Sequence, residues 1–184
     1  MGAPKSFKTG LMLKIAVELV RDGYKVYYGD CENRVRRIRN RAKQAMLEVD
    51  HEEFKSGQHD KVLNEMTKRF KSLGGDMVID HFPAYKCNVG DIDTNLQDLK
   101  DNHGWVPDVI MIDYADLMKP IDPKITEKRL MIQHVYFDLI NLNNKWGTWC
   151  MTPTPVGKKA VEAAVIKITD FSEDFGKAYN CHSA

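Results

Sequence analysis

The chain has 184 residues, 43% hydrophobic and 29% charged, with a formal net charge of +1 at neutral pH. That size suits one α/β domain with a substantial core. The near-zero charge supplies no bulk field for nucleic acid or a membrane surface, so any basic site must be local, and no apolar run reaches the length of a membrane span. Cys31, Cys87, Cys150 and Cys181 lie far apart with no C-x-x-C pair. They read as reduced thiols of a cytoplasmic protein and argue against a zinc site.

The chain opens on Gly2-Ala3-Pro4-Lys5-Ser6-Phe7-Lys8-Thr9, which runs straight into the apolar stretch Leu11 to Val20. This is close to the phosphate-binding loop G-x-x-x-x-G-K-[ST] opening a helix. In such a loop successive backbone N–H groups curl around a phosphate, and the helix N-terminus adds partial positive charge. Lys8 would reach the terminal phosphates and the Thr9 hydroxyl would ligate their magnesium. Phe7 stands where the second glycine is expected. If that position needs positive φ, it costs roughly 1–3 kcal/mol unless the loop is reshaped.

Arg21-Asp22-Gly23 marks a helix stop, and Tyr24 to Gly29 reads as a short aromatic-rich strand. Asp30-Cys31-Glu32-Asn33 then places acids at the C-terminal end of that strand, where ligand crevices of open α/β sheets lie. A second helix is predicted from Arg34 to Glu48, with Val35, Ile38, Ala42 and Met46 on one face. Its other face carries Arg34, Arg36, Arg37, Arg39, Arg41 and Lys43, a solvated surface or a contact for a subunit or phosphate. Val49 to His59 is polar and reads as a surface excursion. Asp60 to Leu73 is a third helix, with Val62, Met66, Phe70 and Leu73 on one side, closed by Gly74-Gly75. Met77 to Asp80 is the next strand, Pro83 to Gly90 a loop, and Asp91 to Asn102 a helix.

The second strong signal is Asp108-Val109-Ile110-Met111-Ile112-Asp113-Tyr114-Ala115-Asp116-Leu117-Met118. An apolar run ending in Asp is the magnesium-side strand of phosphate-loop ATPases. Lys119 to Lys124 follows as a loop, then a helix from about Glu127 to Lys145 with Met131, Val135, Leu139 and Leu142 on one face. Gly147 to Met151 reads as a last buried strand, followed by Thr152-Pro153-Thr154-Pro155-Val156-Gly157-Lys158-Lys159. Strand–helix alternation without repeat or linker predicts one α/β domain over residues 1–184, a three-layer, mainly parallel sheet with helices on both faces.

These pieces together resemble the ATPase core of RecA-like proteins, closest to DnaB-type replicative helicases and their phage and plasmid relatives. Pro4-Lys5-Ser6-Phe7-Lys8-Thr9 is similar to the phosphate loop of a helicase subgroup in which Phe often precedes the lysine. Asp30-Cys31-Glu32 resembles the position of the catalytic glutamate, and Ile112-Asp113-Tyr114-Ala115-Asp116-Leu117-Met118 the segment "IDYLQLM". The resemblance implies ATP and magnesium as cofactors. Gly2 to Thr9 would cradle the nucleotide, Lys8 would stabilise developing charge, and Thr9 with Asp113 would hold magnesium. Glu32 would polarise the attacking water, with Asp30 as the runner-up. It further implies a homo-oligomeric ring and contact with single-stranded DNA through Lys119, Lys124, Lys158 and Lys159. A glutamine that senses nucleotide is expected after the last strand, where Pro153 and Pro155 fall, which puts coupling in question. The competing readings are a RecA- or KaiC-type ATPase and a non-catalytic nucleotide-binding or assembly module. Only Met1 precedes the phosphate loop, so the expectation is a core trimmed at both ends, lacking the strand that launches the loop. Its flanking strands, Gly147 to Met151 included, would have unpaired edges unless the gap closes by strand rearrangement or is filled by another chain.

Overall fold

The computed structural model describes residues 8–57 and 59–155. The elements run α1 (Lys8–Arg21), β1 (Lys25–Asp30), α2 (Val35–Leu47), α3 (His51–Ser56), α4 (Asp60–Ser72), β2 (Asp76–His81), α5 (Val89–His103) and β3 (Val109–Asp113). A single 3-10 turn (Ala115–Leu117), α6 (Lys128–Trp146) and β4 (Trp149–Met151) complete them. The four strands form one sheet in the order β2-β1-β3-β4, every pair parallel.

Alternation along the strands divides the core in two. Val26, Tyr28, Val109 and Met111 face α1, α2 and α4, packing with Leu13, Ala16, Ile38 and Phe70. Tyr27, Ile110 and Ile112 face the other way, against Ile92 and Leu96 of α5 and Val135 and Leu139 of α6. The sheet is therefore the middle of three layers. Its central strands are buried on both faces, which is why β3 reads as an unbroken apolar run. The α1–β1 turn and the α4–β2 turn cross at very short range, and a Cβ on Gly75 would collide with the Val20 carbonyl. Glycine is required there by space rather than by backbone angle. Asn88 and Asp91 cap the start of α5 reciprocally.

Several expectations need correction. The buried face of α4 carries Leu63 and Phe70, while Val62 and Leu73 are 47% and 57% exposed. The predicted stripe is rotated by about one residue, because apolar residues occupy adjacent positions on both sides of the true face. Val49 to His59 contains the short helix α3, with Asp50 accepting from the N–H groups of Glu52 and Glu53. The last strand is shorter than expected, since Gly147 adopts φ 64° as the cap of α6. It is also not buried: Trp149 is 78% exposed. Its inner edge is paired: Val109, Ile110 and Met111 pair directly with Trp149, Cys150 and Met151, so among the described strands the gap is closed by direct pairing, one of the expected outcomes. Trp105, by contrast, sits in the core.

Candidate functional site

Parallel register sets the site. Asp30 ends β1 directly opposite Asp113, which ends β3. The Cys31 N–H donates to the Asp113 carbonyl at 2.7 Å, carrying the pairing one residue past the strand and fixing where Glu32 emerges. Lys8 and Thr9 form the first turn of α1, which contains no acidic residue. No acidic side chain of that turn thus competes for the partial positive charge of the helix start. The other phosphate-loop candidates, Gly2 to Phe7, lie outside the described residues, as do Lys158 and Lys159.

Asp113 is fully buried. Tyr28 Oη donates to its Oδ2 at 3.0 Å, and Oδ1 has no hydrogen-bond partner among the described residues. Burial pushes this carboxyl above its usual range. The Thr9 and Tyr28 hydroxyls hold it down, and the nearby Asp30 and Glu32 carboxylates raise it further. An orphaned carboxylate oxygen with the buried Thr9 hydroxyl beside it is a donor set of hard oxygens, suited to a small divalent cation that keeps several waters. The residues present fit magnesium.

The two acids after β1 differ sharply. Asp30 is almost fully buried and fully engaged. Its Oδ2 accepts the Asn33 N–H at 2.8 Å and contacts His81 Nδ1 at 3.3 Å, while Oδ1 accepts Asn33 Nδ2 at 3.0 Å. It shapes the loop. Glu32 is exposed and makes no hydrogen bond or ion pair among the described residues. Its charge is nevertheless felt by Asp113, and after burial it is the largest influence lifting the Tyr114 hydroxyl to about 12. Lys8 Nζ stands 5.8 Å from the Tyr114 ring centroid, and a cis peptide bond joins Tyr114 to Asp113.

The loop after β3 leads toward the opposite layer. Lys119 is exposed, and its N–H donates to the Cys87 carbonyl at 2.8 Å. Lys124 is exposed and donates its N–H to Asp122 Oδ1 at 2.9 Å. At the tip of β4 the first polar residue is Thr152, whose Oγ1 accepts the Ala115 N–H at 3.0 Å. That bond ties β4 to the turn that follows Asp113, upstream of Pro153 and Pro155. Neither Tyr28 nor Thr152 was a candidate from the sequence. A tyrosine inside a strand that must be buried on both faces was the available signal, since its hydroxyl needs a buried partner.

A family model for the DnaB-like helicase C-terminal domain matches residues 1–146. Among solved structures, the chain is similar to a DnaB-like replicative helicase, described together with its interactions with primase. The TM-score is 0.70 at 15% identity, over 94% of this chain and 43% of that one. It is similar also to a solved ATPase domain, with a TM-score of 0.74 at 16% identity over 97% of this chain and 64% of the other. At such identities the likeness establishes the fold alone. The chain spans less than two thirds of the length of either structure. No curated protein matches it in sequence.

Proposed function

The chain belongs to the DnaB-like helicase C-terminal domain family, and from that premise we propose that it is the magnesium-dependent, ATP-hydrolysing motor core of a phage-like replicative DNA helicase. The observation that carries this reading is one constellation at the strand tips. It joins the positive start of α1, a buried Asp113 with a free oxygen, and an exposed Glu32 whose field reaches both Asp113 and Tyr114. Phosphoryl transfer asks a protein mainly for positioning and charge stabilisation, which these groups supply.

In this reading Lys8 and the α1 N-terminus, with Gly2 to Phe7, hold the nucleotide phosphates. The Thr9 hydroxyl and the Asp113 carboxylate hold magnesium, which neutralises phosphate charge when bound. The Glu32 carboxylate orients and polarises the attacking water. Lys119, Lys124, Lys158 and Lys159 contact single-stranded DNA, and copies of the chain assemble into a ring whose sites are completed by neighbours. Turnover of ATP by the chain, stimulated by single-stranded DNA and reduced roughly 100- to 1,000-fold by Lys8→Ala, is the expected result. Absent turnover, or turnover indifferent to both DNA and Lys8→Ala, overturns the proposal.

Tyr28 holds the metal-side carboxylate in place through Oδ2. Tyr28→Phe preserves volume but frees the second Asp113 oxygen. The magnesium concentration needed for half-maximal nucleotide binding is expected to rise roughly tenfold, with a loss of about 1–3 kcal/mol in stability. Magnesium titrations of nucleotide binding in the calorimeter measure it. An unchanged magnesium dependence refutes this role.

A further inference from the structure

The site does not use the outer surface of α2. Arg34, Arg36, Arg37, Arg39, Arg41 and Lys43 fall within ten consecutive residues, and α2 itself contains no Asp or Glu. Five of the six are exposed; Arg41 is half-buried, and its charge reaches the Tyr28 hydroxyl that donates to Asp113. None makes an ion pair or side-chain hydrogen bond among the described residues. On a chain of net charge +1 this is a concentrated local field.

The spacing arranges the cations. Ile38 and Ala42 are the buried positions of α2. About that inward face, Arg34, Arg37 and Arg41 fall on one flank and Arg36, Arg39 and Lys43 on the opposite flank, each row at i, i+3 and i+7 and the two about 160° apart around the helix. The fully exposed row, Arg36 to Lys43, extends roughly 10 Å along the helix, longer than one triphosphate but matched to several successive phosphates of a polymer. Arginine dominates, and its planar fork suits phosphate oxygens. None of the exposed large hydrophobic residues belongs to α2. The surface therefore lacks the apolar and aromatic anchors that centre a protein–protein interface. It also lacks the aromatic platforms on which unpaired bases stack. What remains is a reader of phosphodiester backbone.

We infer that the exposed flank of α2 carrying Arg36, Arg39 and Lys43 is a second nucleic-acid contact, binding the backbone of double-stranded DNA without reading its sequence. It is separate from the Lys119–Lys124 loop. The helix packs in the layer with α1 and α4, whereas Met118, just before that loop, packs in the cluster of α5 and α6. The inference goes beyond the motor reading and does not need ATP turnover.

The test compares the whole chain with the variant Arg36→Gln/Arg39→Gln/Lys43→Gln, which leaves the row containing the half-buried Arg41 untouched. A control, Lys14→Gln/Lys68→Gln/Lys86→Gln, removes the same charge at exposed positions elsewhere. Affinity for a labelled duplex and for a single strand of equal length is read across a salt series. The α2 variant is expected to bind duplex at least about tenfold more weakly at low salt, with the slope of log affinity against log salt shallower by about two to three. The control is expected to change little. Equal losses in the two variants overturn the inference, as does a duplex affinity and salt slope matching the unaltered chain. A loss confined to the single strand overturns it too. If the α2 variant instead changes only the oligomeric state by light scattering, the surface is a protein contact and the inference is wrong.

Discussion

Glu32→Gln is expected to lower ATP turnover by about two to four orders of magnitude while leaving magnesium–nucleotide affinity and thermal stability essentially unchanged. The carboxylate is exposed and makes no hydrogen bond among the described residues, so its replacement disturbs no folded contact. It nonetheless stands close enough to bias Asp113 and Tyr114. Asp30→Asn should do the reverse. Asp30 accepts both the backbone and side-chain N–H groups of Asn33 and contacts His81 from β2. Losing an acceptor there costs about 1–3 kcal/mol, or about 2–4 °C in melting temperature per kcal/mol for a chain of this size. Turnover corrected for folded fraction should fall far less than in Glu32→Gln. Single-turnover rates, nucleotide titrations and thermal melts on both variants separate the two acids. If Asp30→Asn stops chemistry and Glu32→Gln does not, the roles are exchanged.

That contrast shows what the sequence made legible. The places of Lys8, Thr9 and Asp113 in the fold were readable because each is tied to a local element: a helix start, and the tip of a strand whose unbroken apolar run announces burial on both faces. The layers followed from strand–helix alternation. The difference in surroundings between Asp30 and Glu32 was not local, because part of it comes from His81, 51 residues from Asp30. Tyr28 was hidden similarly, its partner 85 residues downstream. The α4 face was ambiguous because Val62, Leu63, Met66, Phe70 and Leu73 supply apolar residues for two adjoining stripes, and only packing against α2 and β2 selects one. Trp149 misled for another reason. Its aromatic bulk suggests burial, yet β4 is an edge strand of the described sheet and turns that ring outward.

Asp113→Asn is expected to raise the melting temperature of the magnesium-free chain while abolishing magnesium-dependent nucleotide affinity. A carboxyl raised above its usual range by burial is a charge the fold disfavours. At neutral pH the ionised group therefore subtracts stability, and neutralising it restores what was subtracted. Asparagine has nearly the same shape and can still accept from Tyr28 Oη, so the packing survives. Each kcal/mol of relieved charge burial corresponds to about 2–4 °C. In the proposed site a cation at Oδ1, which has no hydrogen-bond partner among the described residues, would supply that relief in the unaltered chain. Magnesium with nucleotide should then stabilise the unaltered chain by mass action, about 2.7 kcal/mol at a hundredfold excess over the dissociation constant. Calorimetric scans of both proteins, with and without magnesium and nucleotide, read the two effects separately. A lower magnesium-free melting temperature in Asp113→Asn would show that the carboxylate supports the fold rather than burdening it. A ligand-induced shift retained in the variant would remove Asp113 from the metal site.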